Sequence, residues 1–179
     1  MPLRPQLSHV GIYVCDTNRM VKFYAEVLGL EVTDRGVSRS AQAPITFMSS
    51  NPTQHHQFVL VEGRPADARS TINQLSFKVA SLSALRDVAA RAERLGAKLR
   101  LTSHGNAWSA YFPDPEGNQI EVYMDTPWHV AQPHGEPLDL SMSDEAIYVE
   151  TEKAVRADPT FTPREVREAE LDRRWYSGR

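Results

Sequence analysis

The sequence predicts an α+β fold of two βαβββ modules followed by a helical C-terminal tail, and three observations carry that reading. The first is an internal repeat. Residues 7–30 (LSHVGIYVCDTNRMVKFYAEVLGL) and 72–99 (INQLSFKVASLSALRDVAARAERLGAKL) both run from an alternating strand, through a capping residue, into an amphipathic helix that ends at Leu-Gly. The second is the run of short strand-like segments after each helix, at 30–35, 44–48 and 56–62 and again at 97–101, 107–112 and 118–124. The third is a change of character after Asp125, where an arm with three prolines (126–140) leads into polar helical sequence.

Each element follows from local chemistry. In the first strand Val10, Ile12 and Val14 share one face, which turns His9, Gly11 and Tyr13 to the other. Asp16 caps the first helix, whose apolar stripe is Met20, Val21, Tyr24, Val27 and Leu28. The polar linker EGRPADARS (62–70) separates the modules. In the second module Leu75, Phe77 and Val79 oppose Gln74, Ser76 and Lys78, and Ser81 caps a helix with Leu82, Leu85, Val88, Ala89, Ala92 and Leu95 on one stripe. The last strand sets Ile120, Val122 and Met124 against Gln119, Glu121 and Tyr123. Residues 1–125 are thus expected to form one domain, with modules at about 5–62 and 71–125, and residues 126–179 an extended arm and helical tail. In the tail Ser143 caps a helix running to about Ala157, and Thr162-Pro163-Arg164-Glu165 reads as a capping box. The densely charged last helix, about 163–174, is expected on a surface or against a partner subunit.

Composition narrows the function. The 179 residues are 41% hydrophobic, enough for a packed core, and 20 basic residues balance 23 acidic ones. That balance leaves no electrostatic footprint for nucleic acid or an anionic membrane. The lone cysteine, Cys15, suits a reducing compartment, and no stretch has the length or apolarity of a signal core or a membrane span. A cytoplasmic protein acting on a small molecule is the expectation.

The repeat also brings candidate ligands into register. His9 lies over Gln74, and aligning Asn51-Pro52 with Asp114-Pro115 puts Glu121 over Phe58 and His56 over Gln119. An imidazole, an amide oxygen and a carboxylate at related strand positions suit a divalent metal with open coordination sites. A carboxylate between Ile120 and Val122 is costly to bury unless it is paired or metal-bound. Plainer readings stand beside this one: His9 as a hydrogen-bonded structural residue, and His55-His56 as an exposed pair at a strand start. Phe58, Trp108 and Tyr123 could line a ligand cup or belong to the core.

LSHVGIYVCDTNRMVKFYAEVLGLEV, QLSFKVASLSALR and YFPDPEGNQIEVY, in that order and at these separations, resemble the vicinal oxygen chelate superfamily over about residues 5–125. That superfamily includes glyoxalase I, bleomycin- and fosfomycin-resistance proteins and type I extradiol dioxygenases. The resemblance implies paired βαβββ modules forming an open, cup-shaped sheet around a metal. Further residues are similar to the extradiol dioxygenases. In that likeness His9 and Glu121 are metal ligands, His56 of the His55-His56 pair is the acid/base, Tyr111 hydrogen-bonds a substrate oxygen, and His104 is a further active-site histidine. Gln74 stands where those enzymes place a second histidine, although glutamine serves as a ligand in some glyoxalase I enzymes. Glyoxalase I usually takes a fourth ligand from the position counted here as Phe58, a ring that cannot ligate. The resemblance therefore implies a homodimeric ring-cleaving dioxygenase acting on a catechol-like aromatic diol with O2. Fe(2+) is the expected metal, with Mn(2+) or another divalent ion as the alternative. A glyoxalase-type isomerase or lyase, or a non-catalytic resistance-type binder, would be the competing outcome.

Overall fold

A computed structural model of the chain describes residues 5–176. The order is β1 (Val10–Val14), α1 (Thr17–Leu28), β2 (Glu31–Val37), β3 (Pro44–Ser49), β4 (Phe58–Glu62), β5 (Leu75–Lys78), α2 (Leu82–Arg94), β6 (Arg100–Ser103), β7 (Ala107–Pro113), β8 (Gln119–Asp125), β9 (Trp128–His129), β10 (Glu136–Pro137), α3 (Asp144–Arg156), β11 (Thr162–Pro163) and α4 (Arg164–Tyr176). The fold is α+β with open mixed sheets. One sheet has the order β1-β4-β3-β2, and the other has the same path, β5-β8-β7-β6, extended by β10. In both, the first strand of the module pairs in parallel with the last, and β4 with β3, β3 with β2 and β7 with β6 are antiparallel. The duplicated βαβββ architecture read from the repeat is present.

The chain divides into two compact units. The first comprises the described residues up to Asn73 together with Pro113–Asn118, and the second comprises Gln74–Phe112 and everything described from Gln119 onward. In the first unit Asp16 caps α1 through the Arg19 amide, and Gly29 closes it at φ 68°, a left-handed backbone that glycine adopts without steric cost. Met20, Tyr24 and Val27 of α1 are fully buried with Phe58 and Leu60 of β4. The turn Asp114-Pro115-Glu116-Gly117-Asn118 fastens this packing. Asp114 accepts from the buried Tyr24 hydroxyl at 2.9 Å and from Asn118 Nδ2 at 2.7 Å, while its other oxygen takes the amides of Glu116 and Asn118. Glu116 in turn accepts the amides of Cys15 and Asp16, which have no intrahelical acceptor at the entrance to α1.

In the second unit Ser81 caps α2 and Ser143 caps α3, both as the sequence predicts. Trp108 packs edge-on against Trp128 and Tyr148 and donates its indole N–H to Thr151 of α3 at 2.9 Å. The capping box expected at Thr162 does not form. Thr162-Pro163 instead pairs as a short strand with Trp128-His129, Thr162 Oγ1 turns back to the Thr160 carbonyl, and the Arg164 amide bonds to the Pro127 carbonyl. No residue of α4 is buried, in keeping with its charged sequence. Among the described residues no helix is long and apolar enough to cross a membrane.

Candidate active site

In the second unit the polar face of the sheet converges on Glu121. Ile120 and Val122 are fully buried on the opposite face, so β-strand alternation turns Glu121 to the polar side, where it is 8% exposed. Its Oε2 accepts from Ser76 Oγ at 2.6 Å and from Gln74 Nε2 at 2.8 Å; its Oε1 accepts from Ser109 Oγ at 2.9 Å and from the Tyr111 hydroxyl. Burial alone would raise the carboxyl's pKa. The hydrogen bonds from Ser76, Tyr111 and Ser109, with the field of His104, more than offset it and hold the group below its usual value. The site is therefore built around a fixed anion.

Tyr111 links that anion to His104. Its oxygen lies 2.8 Å from His104 Nε2, and Nδ1 of the same ring lies 2.7 Å from the His134 carbonyl oxygen. Burial and the bonded Glu121 carboxylate push the phenol up to about 12, with the nearby Arg100 charge opposing them, so Tyr111 stays a proton donor at neutral pH. His104 sits in the three-residue β6–β7 turn. That turn is held by the arm that follows β8: Thr126 Oγ1 bonds to the Gly105 carbonyl at 2.6 Å and Gln132 Nε2 to the His104 carbonyl at 2.9 Å. Gly105 has φ 70°, and a Cβ there would lie 2.6 Å from Val130 Cγ2. Glycine is required at that position.

The first unit carries three imidazoles in contact. The His9 and His56 rings stand 4.3 Å apart edge to face, and Ser8 Oγ lies 3.1 Å from His9 Nδ1. The Nδ1 atoms of His55 and His56 are 2.8 Å apart, one donating to the other, and His55 Nε2 approaches Asp34 at 3.5 Å. Phe47 flanks both His55 and His56. Burial first, then the neighbouring His9 and His55 rings, lower the His56 pKa. The pair lies in the turn ahead of β4, which begins at Phe58, and not within a strand starting at 56.

The strand registers correct one sequence expectation. Val10 pairs with Phe58, and its repeat mate Leu75 pairs with Ile120. The mate of Glu121 is therefore Val59, not Phe58, and the mate of His56 is Asn118, not Gln119. One extra residue between Pro52 and β4 displaces the count, and a one-residue slip exchanges the faces of a strand. Phe58, expected to line a ligand cup, is instead 1% exposed and packs on Tyr24 with ring centroids 4.6 Å apart. Trp108, likewise expected in the cup, is fully buried on the face of β7 away from Ser109 and Tyr111. Both are core residues. Tyr123 is half-buried two residues beyond Glu121 on the same face of β8 and keeps access to the polar side. Ser76 and Ser109 were not anticipated, yet both stand at i±2 from residues that were, Gln74 and Tyr111, so alternation alone points to them.

The donor set fits a divalent ion. A carboxylate only accepts, so the Gln74 amide must present its NH2 to Glu121, leaving its carbonyl oxygen available as a neutral donor beside an anionic one. Among the described residues no three His, Cys, Asp or Glu side chains gather as a metal cluster, and a set containing a glutamine would not be one.

A family model described as the Glyoxalase/Bleomycin resistance protein/Dioxygenase superfamily matches residues 6–122. The chain belongs to this family. Among its relatives is an uncharacterised Pseudomonas aeruginosa protein, 27% identical over 132 residues, spanning 70% of this chain and 92% of the relative. The crystal structure of a glyoxylase/bleomycin resistance protein/dioxygenase domain from Frankia sp. EAN1pec aligns with a TM-score of 0.60 at 24% identity, over 69% of this chain and 100% of that one. The fosfomycin resistance protein FosX of Listeria monocytogenes, solved with Mn(II) and sulfate, aligns with a TM-score of 0.55 at 19% identity, over 69% of this chain and 95% of FosX. The superfamily thus spans resistance proteins and dioxygenases on one fold.

Proposed function

We propose that this family member is a metal-dependent, extradiol-type dioxygenase that opens a catechol-like ring with O2. The observation that carries the reading is the Gln74–Glu121–Tyr111–His104 chain, which joins a fixed carboxylate and an oriented amide to a phenol on the polar sheet face and an imidazole in the adjoining β6–β7 turn. His9, Gln74 and Glu121 are the proposed ligands. The expected ion is Fe(2+), with Mn(2+) or another divalent metal as the alternative. When bound, it supplies a Lewis acid for two vicinal substrate oxygens and a redox partner for O2.

The chain's own groups would handle the protons. His56 is kept below its ordinary pKa, so at neutral pH its imidazole is free to take a proton from the diol and return it later. Tyr111 donates toward oxygen as charge develops there, and His104 stands behind it to resupply the proton. Tyr123 is the remaining candidate to contact the ring. The protein would act as a homodimer in the cytoplasm, where Cys15 stays reduced. Val59, in the position from which glyoxalase I takes a further ligand, leaves that site without a donor and favours the dioxygenase over the isomerase.

Oxygen uptake by anaerobically reconstituted protein, measured over a panel of catechols, tests this. Catechol-dependent uptake with stoichiometric ring opening is expected. Metal binding without uptake on any diol would replace the reading with the isomerase or lyase one, and an absence of metal binding would replace it with a binding protein.

A further inference from the structure

We propose that Arg100 is the anion-recognition residue of this site and that the substrate carries a carboxylate in addition to its vicinal oxygens. The inference rests on the dioxygenase reading for the diol part only. Arg100 opens β6 directly opposite Tyr111 of β7, so the two share the polar face on which Ser109, Glu121 and Ser76 also lie. Its guanidinium carbon sits 4.0 Å above the centre of the Tyr111 ring, the ring whose hydroxyl bonds to Glu121 and His104. That stacking fixes the plane of the guanidinium while leaving its edge open.

The pairing of Arg100 differs from that of Lys78, which among the described residues shares this face and is paired with Asp125. Arg100 is exposed, makes one hydrogen bond, from NH1 to the neutral Thr102 hydroxyl at 3.1 Å, and has no carboxylate within 4.0 Å among the described residues. A planar, always-charged fork with unused N–H donors beside a proton-donating phenol matches a carboxylate better than a neutral substituent. Arginine at this place thus selects for an acidic aromatic.

Calorimetric titration of 3,4-dihydroxybenzoate, catechol and benzoate into the metal-reconstituted protein tests it, with the Arg100→Gln and Arg100→Lys variants in parallel. The wild type is expected to bind 3,4-dihydroxybenzoate about tenfold or more tightly than catechol, the worth of one hydrogen-bonded charge pair. Arg100→Gln should lose that preference while keeping its catechol affinity, and Arg100→Lys should retain part of it. Equal affinity for the two diols in the wild type, a preference that survives in Arg100→Gln, or no binding of any probe would each overturn the proposal. Benzoate binding that depends on Arg100 without binding of either diol would uphold the anion site and overturn the catechol reading instead.

Discussion

Glu121 is the residue on which the proposed chemistry and the local structure both depend, and the two roles separate by substitution. Four donors point at its carboxylate, so Glu121→Ala would remove the acceptor of Ser76, Ser109 and Tyr111, at about 1–3 kcal/mol for a buried hydroxyl such as that of Ser109 left unpaired. Glu121→Gln keeps the shape and one of the two acceptor oxygens but removes the only anionic member of the proposed ligand set. The expected outcome is a folded protein that no longer retains a divalent metal; full metal content in Glu121→Gln would remove this residue from the ligand set. His56 calls for the opposite result. As an acid/base it should leave metal content unchanged on His56→Ala while turnover falls about 10²–10⁴-fold, whereas metal loss in step with activity would make it a ligand. Alternation alone puts Gln74 and Glu121 on the polar side of the second sheet, where they are found, whereas the repeat count that set Glu121 over Phe58 and His56 over Gln119 is off by one residue. Phe58 and Trp108 were misplaced. The face of Phe58 depends on strand register, which one residue in the loop ahead of β4 shifts without any trace in the periodicity, while Trp108 takes the buried face of β7 opposite Ser109 and Tyr111.

At the scale of elements, the turns do more than connect strands. The Asp114–Asn118 turn satisfies the amides at the start of α1 and the buried Tyr24 hydroxyl, which gives this stretch of the sequence a fastening role separate from the role proposed for Glu121 after it. The arm after β8 clamps the His104 turn, and the sequence suggested only that this segment is extended. Gly105→Ala is therefore expected to cost roughly 1–3 kcal/mol, from the left-handed backbone and the clash with Val130, and to lower turnover by displacing His104. Chemical denaturation and a kcat measurement on the same preparation check both parts, and an unchanged kcat would free His104 from the mechanism. Asp125 joins α4 to the sheet through Arg164 and also pairs with Lys78. Burial alone would raise its carboxyl, but those two cations more than compensate and hold it below the usual value. A depressed carboxylate contributes stability that is complete above its unfolded pKa, about 3.9, and is lost as pH falls through that value toward the folded one. Protection factors of the α4 amides, relative to the intrinsic exchange rate at each pH, should accordingly fall below about pH 4, and Asp125→Asn should reproduce that loss at pH 7. Protection factors that ignore both changes would show that the helix is held by other contacts.

For the molecule as a whole, duplication explains why so much of the architecture could be read in advance. Two copies of one βαβββ path carry the same caps and the same strand alternation, so each copy checks the other, while the tail has no second copy and its Thr162 cap was misread. Duplication also sets the scale of the metal's effect. The proposed ligands His9, Gln74 and Glu121 are far apart in the sequence, so an ion that binds them in the native state and not in the unfolded one would stabilise the whole protein by mass action. At a free concentration a hundred times the Kd that contribution is about 2.7 kcal/mol, which for a chain of this length raises the melting temperature by roughly 5–10 °C. The shift should appear with Fe(2+) under anaerobic conditions or with Mn(2+), grow with metal concentration, and vanish in Glu121→Gln. Melting curves that superimpose with chelator and with excess metal would dismiss a tight divalent site in this chain. A shift that persists in Glu121→Gln would move the ion away from the carboxylate to which the Gln74, Ser76, Ser109 and Tyr111 side chains all point.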